Sequence, residues 1–374
     1  MQNDENTANE LEVGREDLGG ALAEKPFDPN KIDITTKSPS IDILIKRLKA
    51  DPAEIDLSPA FQRRSDLWDD EKQSRLIESI LVKFPLPAFY FDGSDNDKWL
   101  VVDGLQRLSS LRNFVVRKKL KLKGLEFLKP LEGSTFDELP RSSQRQIEET
   151  QITAYIINKG TPEEVKFNIF RRINTGGLTL NSQEIRNVLN QGIPAEFVAE
   201  LAELEEFKTA SDKAINSKRM LDREFVTRFL TFYLHPYNEY APDLDTYMNT
   251  AMSKLKRTSP EQREQIKTAF IQSMKLAKSV FADRAFRKAD KNSDKKKPLN
   301  KALFEAWSVA LAKLSASDRE AIEKRKGILL EKSLALINDD PHFWDSITAS
   351  TGDRSKVSYR FSSVEKIIQE TLRQ

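Results

Sequence analysis

Apolar residues in this chain follow two different periods. Short runs at Ala88-Phe-Tyr-Phe91 and Lys98-Trp-Leu-Val-Val102 flank the polar stretch Asp92-Gly-Ser-Asp-Asn-Asp97, which predicts two strands joined by a hairpin turn. Ile152-Thr-Ala-Tyr-Ile-Ile157 and the brief Ile55-Asp-Leu57 predict two more strands. Around them the spacing is that of helices: Ile41 to Leu48, then Leu76, Ile77, Ile80, Leu81 and Phe84, then Leu105, Leu108, Leu111 and Val115. The same spacing returns at Val165, Phe167, Ile169, Phe170 and Ile173, and at Ile185, Val188 and Leu189.

Start and stop signals frame these helices. Asp69 is an N-cap for the second helix, and Phe84-Pro85-Leu86-Pro87 ends it. Thr161-Pro162-Glu163-Glu164 predicts a capped start with proline in the first turn, and Asn181 with Glu184 predicts a capping box. Ser142 to Glu149 is a polar helix candidate, preceded by a basic, then irregular stretch from Val116 to Pro140. From Pro194 onward the pattern is helical with no comparable strand, one face carrying Phe197, Val198, Leu201, Leu204 and Phe207. The fold class expected is therefore α+β: a small mixed sheet with packed helices over residues 31–190, then an all-α domain over 191–374. Residues 1–30 lack periodicity and are expected to be a mobile tail.

Composition narrows the function. Sixty Lys and Arg against 58 Asp and Glu leave a net charge of +2, which excludes a strongly cationic nucleic-acid coat protein but permits a local basic patch. Without cysteine there is no disulfide framework, thiol nucleophile or thiolate metal site. No apolar run approaches the roughly 20 residues that span a bilayer, and the first thirty residues do not read as a secretory signal. The expectation is a soluble cytoplasmic protein that does not engage a membrane.

The most informative stretch is Asp103-Gly104-Leu105-Gln106-Arg107, where a strand hands the chain to a helix. Glycine lets the backbone approach a ligand, Arg107 supplies a planar fork of donors, and Asp103 and Gln106 can orient a water, a metal or a sugar hydroxyl. Free N–H groups at the helix start favour an anion such as phosphate. Ordinary capping by Asp and Gly is the alternative. Phe61-Gln62-Arg63 follows the short strand and places a second Gln-Arg pair beyond a strand end. Asn174-Thr175-Gly176-Gly177 closes the helix before it, either as a plain helix terminus or as a ligand loop. Arg172 and Arg186 read equally well as solvated helix charges, and Glu224 with Arg228 as a surface pair four residues apart. Lys288, Lys291 and Lys295-Lys296-Lys297, with Arg284 and Arg287, form the best nucleic-acid candidate, with a solvated loop as the alternative.

These blocks, in this order, resemble the N-terminal domain of the GmrSD type IV restriction family. The usual turn there is Asp-Gly-Gln-Gln-Arg, so Asp103, Gly104, Gln106 and Arg107 match and Leu105 departs. Ser109-Ser110 keep the hydroxyls of a threonine pair. The resemblance extends to Asn216–Leu230 and to the closing segment from Thr351 through Val364. It implies a relative of the ParB and sulfiredoxin fold, in which a Gly-and-Arg turn holds nucleotide phosphates, and places the Asn174–Gly177 loop beside the nucleotide. Full-length effectors of this kind carry an HNH nuclease. The two histidines here, His235 and His342, lack such spacing, so no HNH module is expected.

The leading expectation is an NTP-binding and NTP-hydrolysing sensor of prokaryotic anti-phage defence, using NTP with Mg2+. Asp103, Gln106 and Arg107 would be catalytic, and Asp103 would also position the metal. Phe61, Gln62, Arg63, Gly104, Asn174, Thr175, Gly176 and Gly177 would bind the nucleotide. The alternative is a non-enzymatic DNA-binding adaptor in which a ParB-like fold presents Arg63, Arg107 and the Lys291–Lys297 region to phosphodiester backbones, with Lys288, Lys291 and Lys295 to Lys297 as the nucleic-acid candidates. DNA and a separate nuclease subunit are candidate partners, and a homodimer is a candidate assembly.

Overall fold

Five strands, β1 (Ile34–Lys37), β2 (Ile55–Asp56), β3 (Phe89–Gly93), β4 (Trp99–Asp103) and β5 (Ala154–Asn158), form one mixed sheet in the order β1-β5-β3-β4-β2. The computed structural model describes residues 13–14, 16–17, 31–57, 68–173, 180–293 and 295–374. Strands β3 and β4 are the antiparallel hairpin read from the sequence, its turn closed by Asp92 and Asp95 accepting from the backbone N–H groups of Ser94 and Asp97. Strands β3 and β5 run parallel, as do β2 and β4. Strand β1 was not legible: Ile34-Thr-Thr-Lys37 holds one apolar residue, because an exposed edge strand paired only with β5 has little to bury.

The chain divides into two compact units, Phe27–Leu189 and Met1–Pro26 with Asn190–Gln374. In the sheet unit, α1 (Ile41–Lys49), α2 (Asp70–Leu81), α3 (Leu105–Leu111) and α4 (Arg141–Glu149) cover one face, burying Phe89, Phe91, Val101 and Ile156. The other face, with Val102 and Ile157, lies under α5 (Glu163–Ile173) and α6 (Ser182–Leu189). Asp69 caps α2 through the Lys72 N–H at 2.8 Å, and Asn181 and Glu184 form the expected reciprocal box on α6 at 2.8 Å each way. Thr161 behaves differently from its sequence reading. Its hydroxyl bonds the backbone of Asp33 rather than α5, tying the entry to β1.

The irregular stretch after α3 is organised by one buried carboxylate. Glu78, on α2, accepts from the backbone N–H groups of Glu126, Phe127 and Leu128 at 2.9, 2.7 and 2.7 Å. Burial raises its pKa, but the three N–H donors outweigh burial and hold it below its ordinary value.

The second unit is helical throughout its described residues after Asn190: α7 (Ile193–Glu203), α8 (Glu205–Ala210), α9 (Leu221–Leu234), α10 (Leu244–Leu255), α11 (Pro260–Phe281), α12 (Lys301–Ala312), α13 (Ala316–Lys324), α14 (Lys326–Asp339), α15 (Pro341–Ser346) and α16 (Arg354–Leu372). Every position of α12 from Ala302 to Ala312 is buried, so this helix is the axis on which the others pack. Phe225, Phe229, Phe270 and Phe304 supply much of its aromatic core. Among the described residues, no helix is long and apolar enough to cross a membrane.

Two sequence expectations are corrected here. Val13, Gly14, Glu16 and Asp17, within the stretch expected to be a free tail, dock on the helical unit: Val13 is buried and Gly14 N–H donates to the Leu299 carbonyl at 2.8 Å. Glu224 and Arg228 are not a surface pair. Arg228 is buried and also bonds Glu305 and Glu16, because α9 presents it to α12 instead of to solvent.

Candidate functional site

The hairpin delivers Asp103 to the end of β4 through an irregularity. Phe91 pairs with Val101 but Tyr90 pairs with Asp103, so Val102 is an extra residue on β4, and the strand bends where the turn begins. Gly104 follows at φ +102°, a backbone conformation that side-chain-bearing residues rarely adopt. A Cβ there would also lie 2.5 Å from the Phe89 ring. Glycine is required twice over, by torsion and by space. Helix α3 starts immediately afterwards and continues through a wider turn at Arg112–Val116.

Arg107 turns back from α3 onto this junction. Its Nη2 donates to Asp103 Oδ2 at 2.8 Å and to the Ala88 carbonyl at 3.1 Å, its Nη1 donates to the Pro87 carbonyl, and the guanidinium lies 4.3 Å from the Phe89 ring centre. The residue is 8% exposed, which makes it neither a solvated helix charge nor a phosphate fork waiting with all its donors. Of the five N–H donors a guanidinium carries, three serve the protein. Burial lowers its pKa from the ordinary value, while the Asp103 carboxylate opposes that shift.

Gln106 has a definite task. Its Oε1 accepts from the Trp68 N–H at 3.3 Å, the Trp68 carbonyl accepts from Gln73 Nε2 at 2.8 Å, and Gln73 Oε1 accepts from Asn113 Nδ2 at 3.0 Å. This chain of amides fastens Trp68, two residues before α2, and Gln73 of α2 to Gln106 of α3 and to Asn113 just beyond it. Phe61, Gln62 and Arg63 lie outside the described residues, as do Asn174, Thr175, Gly176 and Gly177. Asp103 and Arg107 meet across the Gly104 turn, while the Gln106 side chain engages Trp68.

Two residues beside Asp103 at this end of the sheet escaped the sequence reading. Tyr90 and Tyr155 are register partners on the parallel strands β3 and β5, their half-buried rings stacked 4.9 Å apart, and Tyr90 also sits opposite Asp103. Burial, then Tyr155 and Asp103, raise the Tyr90 pKa. A tyrosine in the same place in two strands bound for neighbouring positions was the signal available. Arg186, for which a solvated helix charge is one of two equal readings of the sequence, is instead 1% exposed, with Nη1 donating to Gln183 at 2.6 Å and the guanidinium near the Phe167 ring.

In the helical unit the basic candidates divide. Lys291 pairs with Asp339 and Lys296 with Asp212, while Lys288 lies over the Trp344 ring with its pKa lowered by burial and by Lys297. Lys295, Lys296 and Lys297 join Arg284 and Arg287 around a cavity of about 320 Å³. Among the described residues, no group of three or more His, Asp or Glu side chains is placed to hold a metal ion.

Residues 44–190 match the family model described as GmrSD restriction endonuclease, N-terminal domain. This segment is similar to the N-terminal domain of that family. The match takes in the sheet unit from within α1 onward, including the Asp103–Arg107 turn, and does not extend to residues 216–230 and 351–364. No curated protein and no solved structure matches the chain.

Proposed function

We propose that the chain is an NTP-binding and NTP-hydrolysing sensor in restriction-like anti-phage defence, with the nucleotide held at the β4–α3 turn. The observation that carries this reading is the Gly104 junction. A left-handed glycine, pressed against Phe89, brings Asp103 and a buried Arg107 into a 2.8 Å pair at a strand-to-helix start inside the GmrSD-like domain. Rigid, partly desolvated polar groups of this kind interact with phosphate more strongly than solvated ones. Since Asp103 and Pro87 already occupy part of the guanidinium, Arg107 offers a phosphate its two remaining N–H groups, and backbone N–H groups at the turn complete the contact. Magnesium fits as a cation carried by the triphosphate: the donor set at the turn is one carboxylate, which suits an ion that keeps most of its ligands as water and phosphate. Asp103, in this reading, orients that ion or the attacking water.

Titration of ATP, GTP, CTP and UTP with Mg2+, alongside a phosphate-release assay, tests the reading. At least one should bind at millimolar concentration or below, and Asp103→Asn should reduce phosphate release more than binding. A folded chain that binds none of the four refutes it. The DNA-adaptor reading keeps one supporting observation, the cluster of Lys295, Lys297, Arg284 and Arg287 around a single cavity. It requires DNA affinity that falls steeply with salt and disappears on replacing Lys295 and Lys297. A separate nuclease subunit and a homodimer remain part of the proposal as partners.

A further inference from the structure

The N-terminal segment is bound to the helical unit as a peptide is bound to a receptor. Val13 forms a parallel bridge with Leu299 and enters the apolar core, and the Gly14 N–H donates to the Leu299 carbonyl at 2.8 Å. Glu16 then reaches Arg228: Nη1 donates to Oε1 at 3.0 Å and Nη2 donates to Oε2. The Thr351 hydroxyl donates to the same Oε1 at 2.9 Å, and Lys301 Nζ stands 4.0 Å from Oε2. Asp17 finishes the contact, its carbonyl accepting from the Thr351 N–H at 2.7 Å and its carboxylate from the Ser350 N–H at 3.2 Å.

Charge explains why a carboxylate belongs there. Arg228, Arg360 and Lys301 face Glu224 and Glu305 from α9, α12 and α16, so these helices leave one positive charge over, and Glu16 balances it. Arg228 and Glu305 are enclosed on all sides, and an uncompensated charge at that depth is costly. A backbone bridge at Val13, an apolar pocket for its side chain and an anion pocket for Glu16 each engage a different feature of the segment.

We propose that the helical unit carries a docking site for a Val-Gly-x-Glu-Asp strand, whose resident ligand is this chain's own residues 13–17, held reversibly through the Glu16 carboxylate.

Hydrogen exchange on the full chain tests this. Undisturbed, the Gly14 and Thr351 N–H groups should exchange slowly. An excess of a synthetic peptide of residues 9–20 should speed exchange at the protein's own Gly14 at least tenfold while Thr351 stays protected, because the peptide takes the place of the segment. The same peptide with Gln in place of Glu16 should compete at least tenfold less well. In the full chain, Glu16→Gln should speed both Gly14 and Thr351 while the interior of α12 keeps its protection. The peptide arm needs no variant to fold, so it decides the matter: no change at Gly14 with millimolar peptide, or equal competition by the Gln peptide, overturns the proposal.

Discussion

Two regions of this molecule bury arginine on carboxylate, and they do so in opposite ways. At the β4–α3 turn, Arg107 pairs with a carboxylate four residues away and spends its other contacts on the carbonyls of Pro87 and Ala88. The Asp103 side chain stays 30% exposed, so the pair looks out at solvent. In the helical unit, Arg228 and Arg360 close on Glu305 from residues 77 and 55 positions away, and all three are shut in. The open pair can exchange a partner with an arriving anion. In the closed network, Glu16 is the carboxylate supplied from outside the packed helices, among the described residues, and it is the partner open to exchange.

The largest expected effect lies in the closed network. Glu305→Leu removes the carboxylate that both guanidinium groups share, which should lower unfolding free energy by about 3–5 kcal/mol. The double variant Glu305→Leu, Arg360→Met should recover much of that loss, because it replaces a buried charge pair with apolar volume. Denaturant unfolding of the two variants beside the parent reads both effects. A Glu305→Leu chain as stable as the parent would mean that the network contributes nothing.

The open pair should respond less, and in a way that separates structure from ligand binding. Arg107→Met leaves Asp103 without its partner and two carbonyls without a donor, for a loss of about 1.5–3 kcal/mol. Arg107→Lys should keep the ion pair with Asp103 and recover part of the stability, yet it cannot bond Pro87, Ala88 and Asp103 together. Thermal melts give the stability order parent, Lys, Met. If nucleotide affinity follows the same order, binding depends on the turn's shape. If Lys restores stability and affinity stays at least tenfold down, the fork itself touches phosphate.

The same contrast explains what could be read from sequence. Asp103, Gly104, Gln106 and Arg107 fall within five residues, and spacing on one helical turn predicts that they meet. The caps at Asp69 and Asn181–Glu184 were legible for the same reason. Arg228 had a local partner at Glu224, which suggested a surface pair, and nothing within one turn announced Glu305, Arg360 or Glu16. Such contacts depend on which helices pack together, and a single chain's periodicity gives the buried face without naming its neighbour. Strand β1 was hidden because an edge strand's pairing lies in its backbone. Arg107 shows the limit within the local case: spacing pointed to the right residue, but its bonds to Pro87 and Ala88 go to the segment just before β3, some twenty residues away.

Glu78 offers a third arrangement, an anion buried against backbone N–H groups with no arginine at all, and it should show the smallest effect. Its pKa lies below the ordinary value of 4.5 because three N–H donors outweigh the cost of burial. The unfolded chain therefore binds a proton more readily than the folded one does. Stability from this group is fully present above about pH 4.5 and is lost as pH falls through the lower folded value. Glu78→Gln should cost roughly 1–2 kcal/mol at neutral pH, since a neutral amide offers one oxygen to three donors. The variant should also lose this part of the acid dependence, so the difference in urea midpoint between parent and variant should shrink from pH 7 to pH 3. A difference that stays constant across that range would mean that Glu78 is held by its shape alone, and that the segment Glu126–Leu128 is positioned by the packing around it.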